Sequence, residues 1–455
     1  MNREIITETL RKQLSLNENS KVLVVGLGET GFSVAKFLHQ QGIPFAVVDS
    51  RDKPPLNDAM LQDYPDTPIF TGGFDKTAFE VATHLIVSPG VSLQEDSIRK
   101  AILLGTKLLS DIDLFACATD KPVIAITGSN GKSTVTTMLG AMGNESNVVT
   151  AIGGNLGEPA LDLLDDSVEL YVLELSSFQL ERTSVLNANA ATILNVTEDH
   201  MDRYADIMDY AKEKQRIFSG NGVMVINEDD SVVNSMRVEN RDLYTFSVIK
   251  KTGFHVANQQ GENWLMNAEL AMMRQSELAV EGLHNVANAL AALALGTAAG
   301  LNNVAMCNAL RRFKGLNHRM QKVGRINGVT WVNDSKATNI GACVAALQGY
   351  HNKVILIAGG DAKGADMKGL VSTIEEKVKC VVLMGKDAGK IESAINGCVP
   401  SYRVKNIQEA VKQAAKLAEE GESVLLSPAC SSIDQYKNYQ ERGDKFTAAV
   451  MELVA

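Results

Sequence analysis

An apolar run over residues 122–127 leads directly into Gly128-Ser129-Asn130-Gly131-Lys132-Ser133-Thr134, and a segment of helical pattern follows. This order of strand, glycine-rich loop and helix is that of a phosphate loop. The glycines let successive backbone N–H groups face phosphate oxygens, the lysine supplies a mobile positive charge, and a serine hydroxyl can hold Mg²⁺. Residues 128–134 are therefore candidate ATP-binding residues. The position that would carry the first glycine of a regular Walker A sequence is Ile126, so the loop is a variant.

Short β-branched runs recur on both sides of the loop, at 21–26, 45–49, 84–90, 170–177, 191–200, 223–227, 329–334, 353–360, 379–385 and 423–428. Runs apolar on both faces suit buried parallel strands, and the segments between them suit crossover helices. One helix is legible over 407–418, with Gly421 placed as its C-cap. The expected fold class is α/β, with three domains each built on a mostly parallel sheet. Strand–glycine–helix starts at Gly26, Gly128 and Gly359 mark three nucleotide-fold units. Boundaries are expected near residues 110 and 315, giving domains 1–110, 111–315 and 316–455, with a chain of 455 residues long enough for three cores.

A net charge of −10 argues against a nucleic-acid partner held on a basic face, but it leaves room for a local cationic pocket. The six cysteines form no CxxC or Cys/His cluster, so neither a disulfide scaffold nor a zinc site is expected. The N-terminal segment mixes charge into every turn, and the most apolar stretch, 289–301, is too short to span a bilayer. Those features predict a cytoplasmic protein without membrane insertion.

Further motifs surround the loop. Gly26-Leu27-Gly28-Glu29-Thr30-Gly31 matches GxGxxG, with Asp49 after the next run. Taken alone it would suggest a nicotinamide-dependent dehydrogenase, but no hydride-transfer site follows and a phosphate loop does; the glycines also suit other nucleotides or close helix–strand packing. Glu174 and His200, each read as ending a strand near the phosphate loop, are candidate ligands for a divalent cation. Asn285 and Asn288 open an alanine-rich helix, where capping accounts for Asn285 but not for Asn288. His318-Arg319, the segment 333–339 and the segment 359–363 read as binding loops.

Together GSNGKST, ELSSFQLE at 174–181, TEDHMDRY at 197–204, GLHNVANALAAL at 282–293, NHRM at 317–320 and NDSKATN at 333–339 resemble the Mur ligases. Within that family, VVDSR at 47–51 and the segment 427–446 look like the D-glutamate-adding branch. The resemblance implies an ATP-dependent ligase that adds D-glutamate to UDP-N-acetylmuramoyl-L-alanine in peptidoglycan precursor synthesis. It implies ATP and two Mg²⁺ ions as cofactors, small-molecule partners only, and a monomer.

Residue roles follow from the same resemblance. Glu29, Thr30, Asp49, Ser50, Arg51 and Asn155 would contact the UDP-linked substrate. Lys132, Ser133 and Thr134 would hold the ATP phosphates, and Asn285, Asn288, Arg319 and Asp334 the rest of the nucleotide. Ser133, Glu174, His200 and Lys214, the last as a carbamate, would form the metal sites, with Lys132, Glu174, His200 and Lys214 catalytic. Lys212 is the alternative site of carbamylation. Thr338, Lys363, Ser432 and Tyr439 would receive D-glutamate, Tyr439 standing where the family also uses phenylalanine. The alternative within the superfamily is a folylpolyglutamate-type ligase, which lacks the segment that precedes the phosphate loop here.

Overall fold

The computed structural model describes residues 2–280, 282–350 and 352–453. Its strands form three separate sheets of five, nine and six strands. The first runs Ile69–Phe70, Phe45–Val48, Val22–Val25, His84–Val87, Lys107–Leu109 and is parallel throughout. Its central strand is buried at every position, which is why the sequence there is an unbroken apolar run.

The second sheet places Ala190–Ile193, Val123–Thr127, Leu170–Glu174 and Thr150–Gly154 side by side and parallel. Its other wing continues through Val223–Asn227 and Leu243–Ser247 to Phe254–Gln259, then turns antiparallel through Glu262–Asn267 and Leu270–Arg274. The alanine-rich helix Leu283–Ala298 is apolar around its circumference because it is enclosed. It packs beside the phosphate-loop helix Lys132–Glu145 and against the strands of this sheet. Among the described residues no helix is long and apolar enough to cross a membrane.

The third sheet runs Gln321–Ile326, Val329–Asn333, Ser423–Leu426, Val354–Gly359, Val378–Met384, Ser401–Arg403, antiparallel only at its first pair. The last strand of the first sheet ends at Leu109, and Ser110 caps the helix Asp111–Ala118 that leads to the second.

Four local expectations are corrected. His200 does not end a strand: the strand stops at Ile193, because Asn195 turns to the phosphate loop, its carbonyl accepting from Ser129 N–H at 2.9 Å and its side chain from Asn130 N–H at 2.8 Å. Asn285 is not a cap. Gly282 holds that position with φ +94, and Asn285 lies in the first turn. The helix Ile407–Leu417 ends at Ala418 in extended conformation, so Gly421 serves the next turn, where its N–H donates to the Gly328 carbonyl at 3.0 Å. After Gly359 the chain forms a loop before the helical turn Met367–Leu370, so only the first two glycine starts lead straight into helices.

Candidate functional site

The site residues lie at the C-terminal ends of neighbouring parallel strands, where open α/β sheets bind ligands. In the second sheet Asp199 and His200 follow Ala190–Ile193, the phosphate loop follows Val123–Thr127, Glu174 ends Leu170–Glu174, and Asn155 follows Thr150–Gly154. In the third, Asp334 and Thr338 follow Val329–Asn333, Ser432 follows Ser423–Leu426, and Lys363 follows Val354–Gly359, again three adjacent strands.

Gly131 begins the phosphate-loop helix at φ +88, and a Cβ there would lie 2.5 Å from Asn288 Oδ1. Glycine is thus required for conformation and for space. Lys132 curls back over its own loop and donates to the carbonyls of Gly128 at 2.7 Å and Ser129 at 3.0 Å. Lys214, on the helix Ile207–Gln215, is buried beneath the same loop and donates to the Gly128 carbonyl at 3.1 Å, its Nζ 4.3 Å from the Tyr210 ring centroid. Burial first, and the Lys132 charge second, hold the Lys214 amine well below an ordinary lysine pKa, against the pull of Asp199 and Glu174. Lys212, two residues away, is exposed.

Glu174 is buried, and its Oε1 accepts from Asn155 Nδ2 at 2.7 Å. Its Oε2 is buried with no hydrogen-bond partner among the described residues. A buried carboxylate oxygen left so is costly unless a cation meets it. His200 sits in left-handed backbone at φ +59, its ring edge-on to Phe178 at 4.7 Å. Burial, aided by Lys363 and Lys132 and opposed by Asp199, brings its pKa down to about 4, so the ring is neutral at pH 7 and able to ligate a metal. Carboxylate, neutral imidazole and the Ser133 hydroxyl fit a hard divalent cation such as Mg²⁺. Among the described residues no three His, Cys, Asp or Glu side chains converge to hold a metal. A cation here would therefore take further oxygens from hydroxyls and substrate phosphates, as Mg²⁺ commonly does.

A cleft of about 1320 Å³ opens between the second and third sheets, bordered by Asn130, Gly131, Asn285, Asn288, Arg319 and Asp334. Arg319 crosses it and donates to Ser133 Oγ at 3.2 Å. Asp334 accepts from Ser427 Oγ at 2.8 Å and from the Met320 N–H at 3.2 Å, yet burial still pushes its pKa up to about 7. Lys363 pairs with Asp199 at 3.2 Å, and Asn339 donates to Asp199 Oδ2 at 3.2 Å and to Asn130 Oδ1 at 3.1 Å. Lys336 lies 3.9 Å over the Tyr439 ring, and burial followed by the Arg319 charge lowers its pKa to about 8. The sequence motifs assign no individual role to Asp199, Lys336 or Asn339. The signal was their place inside the same polar segments as His200 and Thr338.

In the first domain Gly28 caps the helix Glu29–Gln41, leaving open space above the turn. Asp49 is buried and fully engaged: Oδ2 accepts from the Leu27 N–H at 2.7 Å and Oδ1 from the Arg51 N–H at 2.9 Å, while the Arg51 guanidinium pairs with both oxygens. Asp49 thus aims Arg51, whereas Glu29, Ser50 and Arg51 are exposed.

Three family models match the chain in order. They are described as Mur ligase MurD-like, N-terminal domain, over residues 20–110; Mur ligase middle domain, over 126–296; and Mur ligase, glutamate ligase domain, over 318–430. The chain is 49% identical over 443 residues to the UDP-N-acetylmuramoylalanine–D-glutamate ligase of Methylococcus capsulatus, covering 97% of this chain and 96% of that one. It is 47% identical over 433 residues to the protein of the same name from Pseudomonas putida, with 94% and 96% covered. A solved pseudomurein peptide ligase type C from Methanothermus fervidus aligns with a TM-score of 0.61 at 18% identity, covering 96% of this chain and 100% of that chain, a likeness of fold.

Proposed function

The chain belongs to the Mur ligase family, and on that premise we propose that it joins D-glutamate to UDP-N-acetylmuramoyl-L-alanine, with conversion of ATP to ADP and phosphate. It is an ATP-dependent amide-forming ligase. The observation that carries the reading is the near-full-length identity of 49% to a D-glutamate ligase, extending across all three domains. The match over 20–110 favours a UDP domain over the folylpolyglutamate alternative.

A carboxylate is a poor electrophile, and transfer of the γ-phosphoryl group onto the alanyl carboxylate makes one oxygen a leaving group. The amine of D-glutamate then attacks the acyl carbon, and the tetrahedral intermediate expels phosphate. The protein's task is placement and charge compensation. Lys132, with loop N–H groups, takes the phosphates, and Arg319 reaches the same point from the third domain. Mg²⁺, held through Glu174, His200 and Ser133, would neutralise charge on the phosphoryl oxygens. Lys214 is the proposed carbamate: its neutral amine attacks CO₂, losing one proton, and the product is an oxygen-donor anion. Lys363, Thr338, Ser432 and Tyr439 form the amino-acid end. Closure over the site keeps water from the acyl phosphate.

Phosphate release measured for UDP-N-acetylmuramoyl precursors against L- and D-amino acids tests the assignment. Release is expected only with the alanyl precursor and D-glutamate together, and brisk ATP turnover with neither partner would contradict it.

A further inference from the structure

Arg182 has no part in the chemistry above, yet it is 1% exposed. It belongs to the second domain and reaches into the first. Its Nη1 donates to the Ser88 carbonyl at 2.7 Å, with that of Val87 at 3.5 Å, and its Nη2 donates to the Val91 carbonyl at 3.3 Å and pairs with Glu181. The planar fork of a guanidinium presents its donors in a rigid array that matches several fixed acceptors, whereas the compact ammonium of lysine has no such fixed fork.

The segment it grips supports the first glycine turn. Ser88 Oγ donates to the Gly26 carbonyl at 2.9 Å, and a Cβ on Gly26 would lie 2.9 Å from Val91 Cγ2. A Cβ on Gly31 would lie 1.9 Å from the Gly26 carbonyl oxygen. Turn, supporting segment and guanidinium are stacked without slack. On the other side Arg182 follows Glu174 through the short helix Ser177–Leu180, which a capping box of Ser176 and Gln179 holds at its start. Glu181 also meets Arg203 at 3.5 Å; Arg203 lies 4.5 Å over Phe178, whose ring meets His200. Arg182 Nε and Asp111 Oδ1 are both buried without a hydrogen-bond partner among the described residues, and the Asp111 charge acts on Arg182. The guanidinium thus stands where both domains and their linking helix meet.

We propose that Arg182 is a positioning residue that sets the separation between the nucleotide end of the substrate and its reacting carboxylate. By fixing the Gly26–Gly31 turn relative to Glu174 and His200, it makes a substrate anchored at the turn present its far end at the phosphate loop. The inference rests on the reading of that turn as the UDP site. Misplacement by an ångström costs on the order of 10²-fold in rate.

The test compares the parent enzyme with Arg182→Met and Arg182→Lys on two acceptors: the UDP-linked acid, and the same sugar acid lacking the whole uridine diphosphate group, phosphates included. With the UDP-linked acid, kcat is expected to fall by on the order of 10²-fold in Arg182→Met and less in Arg182→Lys, with the KM for ATP unchanged. With the truncated acceptor, which nothing anchors at the turn, parent and variants should agree. Thermal unfolding identifies a variant that fails to fold, in which case Arg182→Lys carries the comparison. Equal losses on both acceptors, or no loss on the UDP-linked acid, would overturn the proposal. If the parent itself shows no preference for the UDP-linked acid, it is the reading of the glycine turn that fails.

Discussion

Lys132 and Lys214 direct their Nζ atoms at one acceptor, the backbone carbonyl oxygen of Gly128, at 2.7 and 3.1 Å. Two ammonium groups so placed repel, and Lys214 is the more deeply enclosed. Lys214 therefore gives up its proton more readily, and the neutral amine is the form that reacts with CO₂.

Lys214→Ala is expected to be nearly inactive, with turnover reduced on the order of 10²-fold or more, and to be partly rescued by short carboxylic acids that replace the carbamate oxygens. Lys212→Ala should be close to normal, because that side chain is exposed. Steady-state kinetics with and without acetate check this. Full activity in Lys214→Ala, or an unmodified amine at Lys214 in a crystal structure of the active enzyme, would rule out the carbamate.

Lys132→Ala should lower kcat on the order of 10²- to 10³-fold, the effect of removing a charge aimed at the transferring group. The fold should survive, since this half-buried side chain contacts loop carbonyls and not an apolar core. Circular dichroism and thermal unfolding separate the two effects.

Asp49→Asn acts at the other end of the substrate. The carboxylate holds the Leu27 N–H and aims Arg51, so the variant should raise the apparent KM for the UDP-linked acid while kcat changes little. Loss of these bonds to a charged acceptor should also cost about 1–3 kcal/mol of stability. A pure loss of kcat would argue that the first domain does not bind the substrate's nucleotide.

Much of this arrangement was legible in the sequence, and the remainder has physical reasons for being hidden. Strands such as Val22–Val25 and Val123–Thr127 are buried on both faces and read as unbroken apolar runs. The antiparallel pair Phe254–Gln259 and Glu262–Asn267 has no apolar run to mark it, because its hairpin end is exposed and carries the polar groups Asn258, Gln259, Glu262 and Asn263, which read as loop. Residues 191–200 looked like one strand, but the ladder ends when Asn195 is diverted to the phosphate loop. The ends of the site are encoded locally, in Gly131, Lys132 and Glu174. Arg182, by contrast, reads as an ordinary surface charge, and only the approach of the first domain's carbonyls encloses it.

Asp334 supplies a pH signature. Its folded pKa of about 7 lies above the ordinary aspartate value of 3.8, so the folded state binds the extra proton between these values. The stability tied to that proton is full below about pH 4 and is lost as pH rises through about 7. Asp334→Asn should therefore melt close to the parent in acid. By pH 8 it should exceed the parent by up to about 4 kcal/mol, while binding ATP more weakly. Unfolding curves across pH 4–8 check the sign, and a constant difference between the two proteins would contradict the assignment.

The central claim is that one amide bond is made to D-glutamate for each ATP consumed. Mass spectrometry of the nucleotide-linked product, with ADP and phosphate counted in the same reaction, tests it most directly. The account predicts UDP-N-acetylmuramoyl-L-alanine carrying a single added glutamyl residue, formed from D- and not L-glutamate, with ADP and phosphate in equal amounts to product. ADP formed without that product, or equal incorporation of L-glutamate, would contradict it.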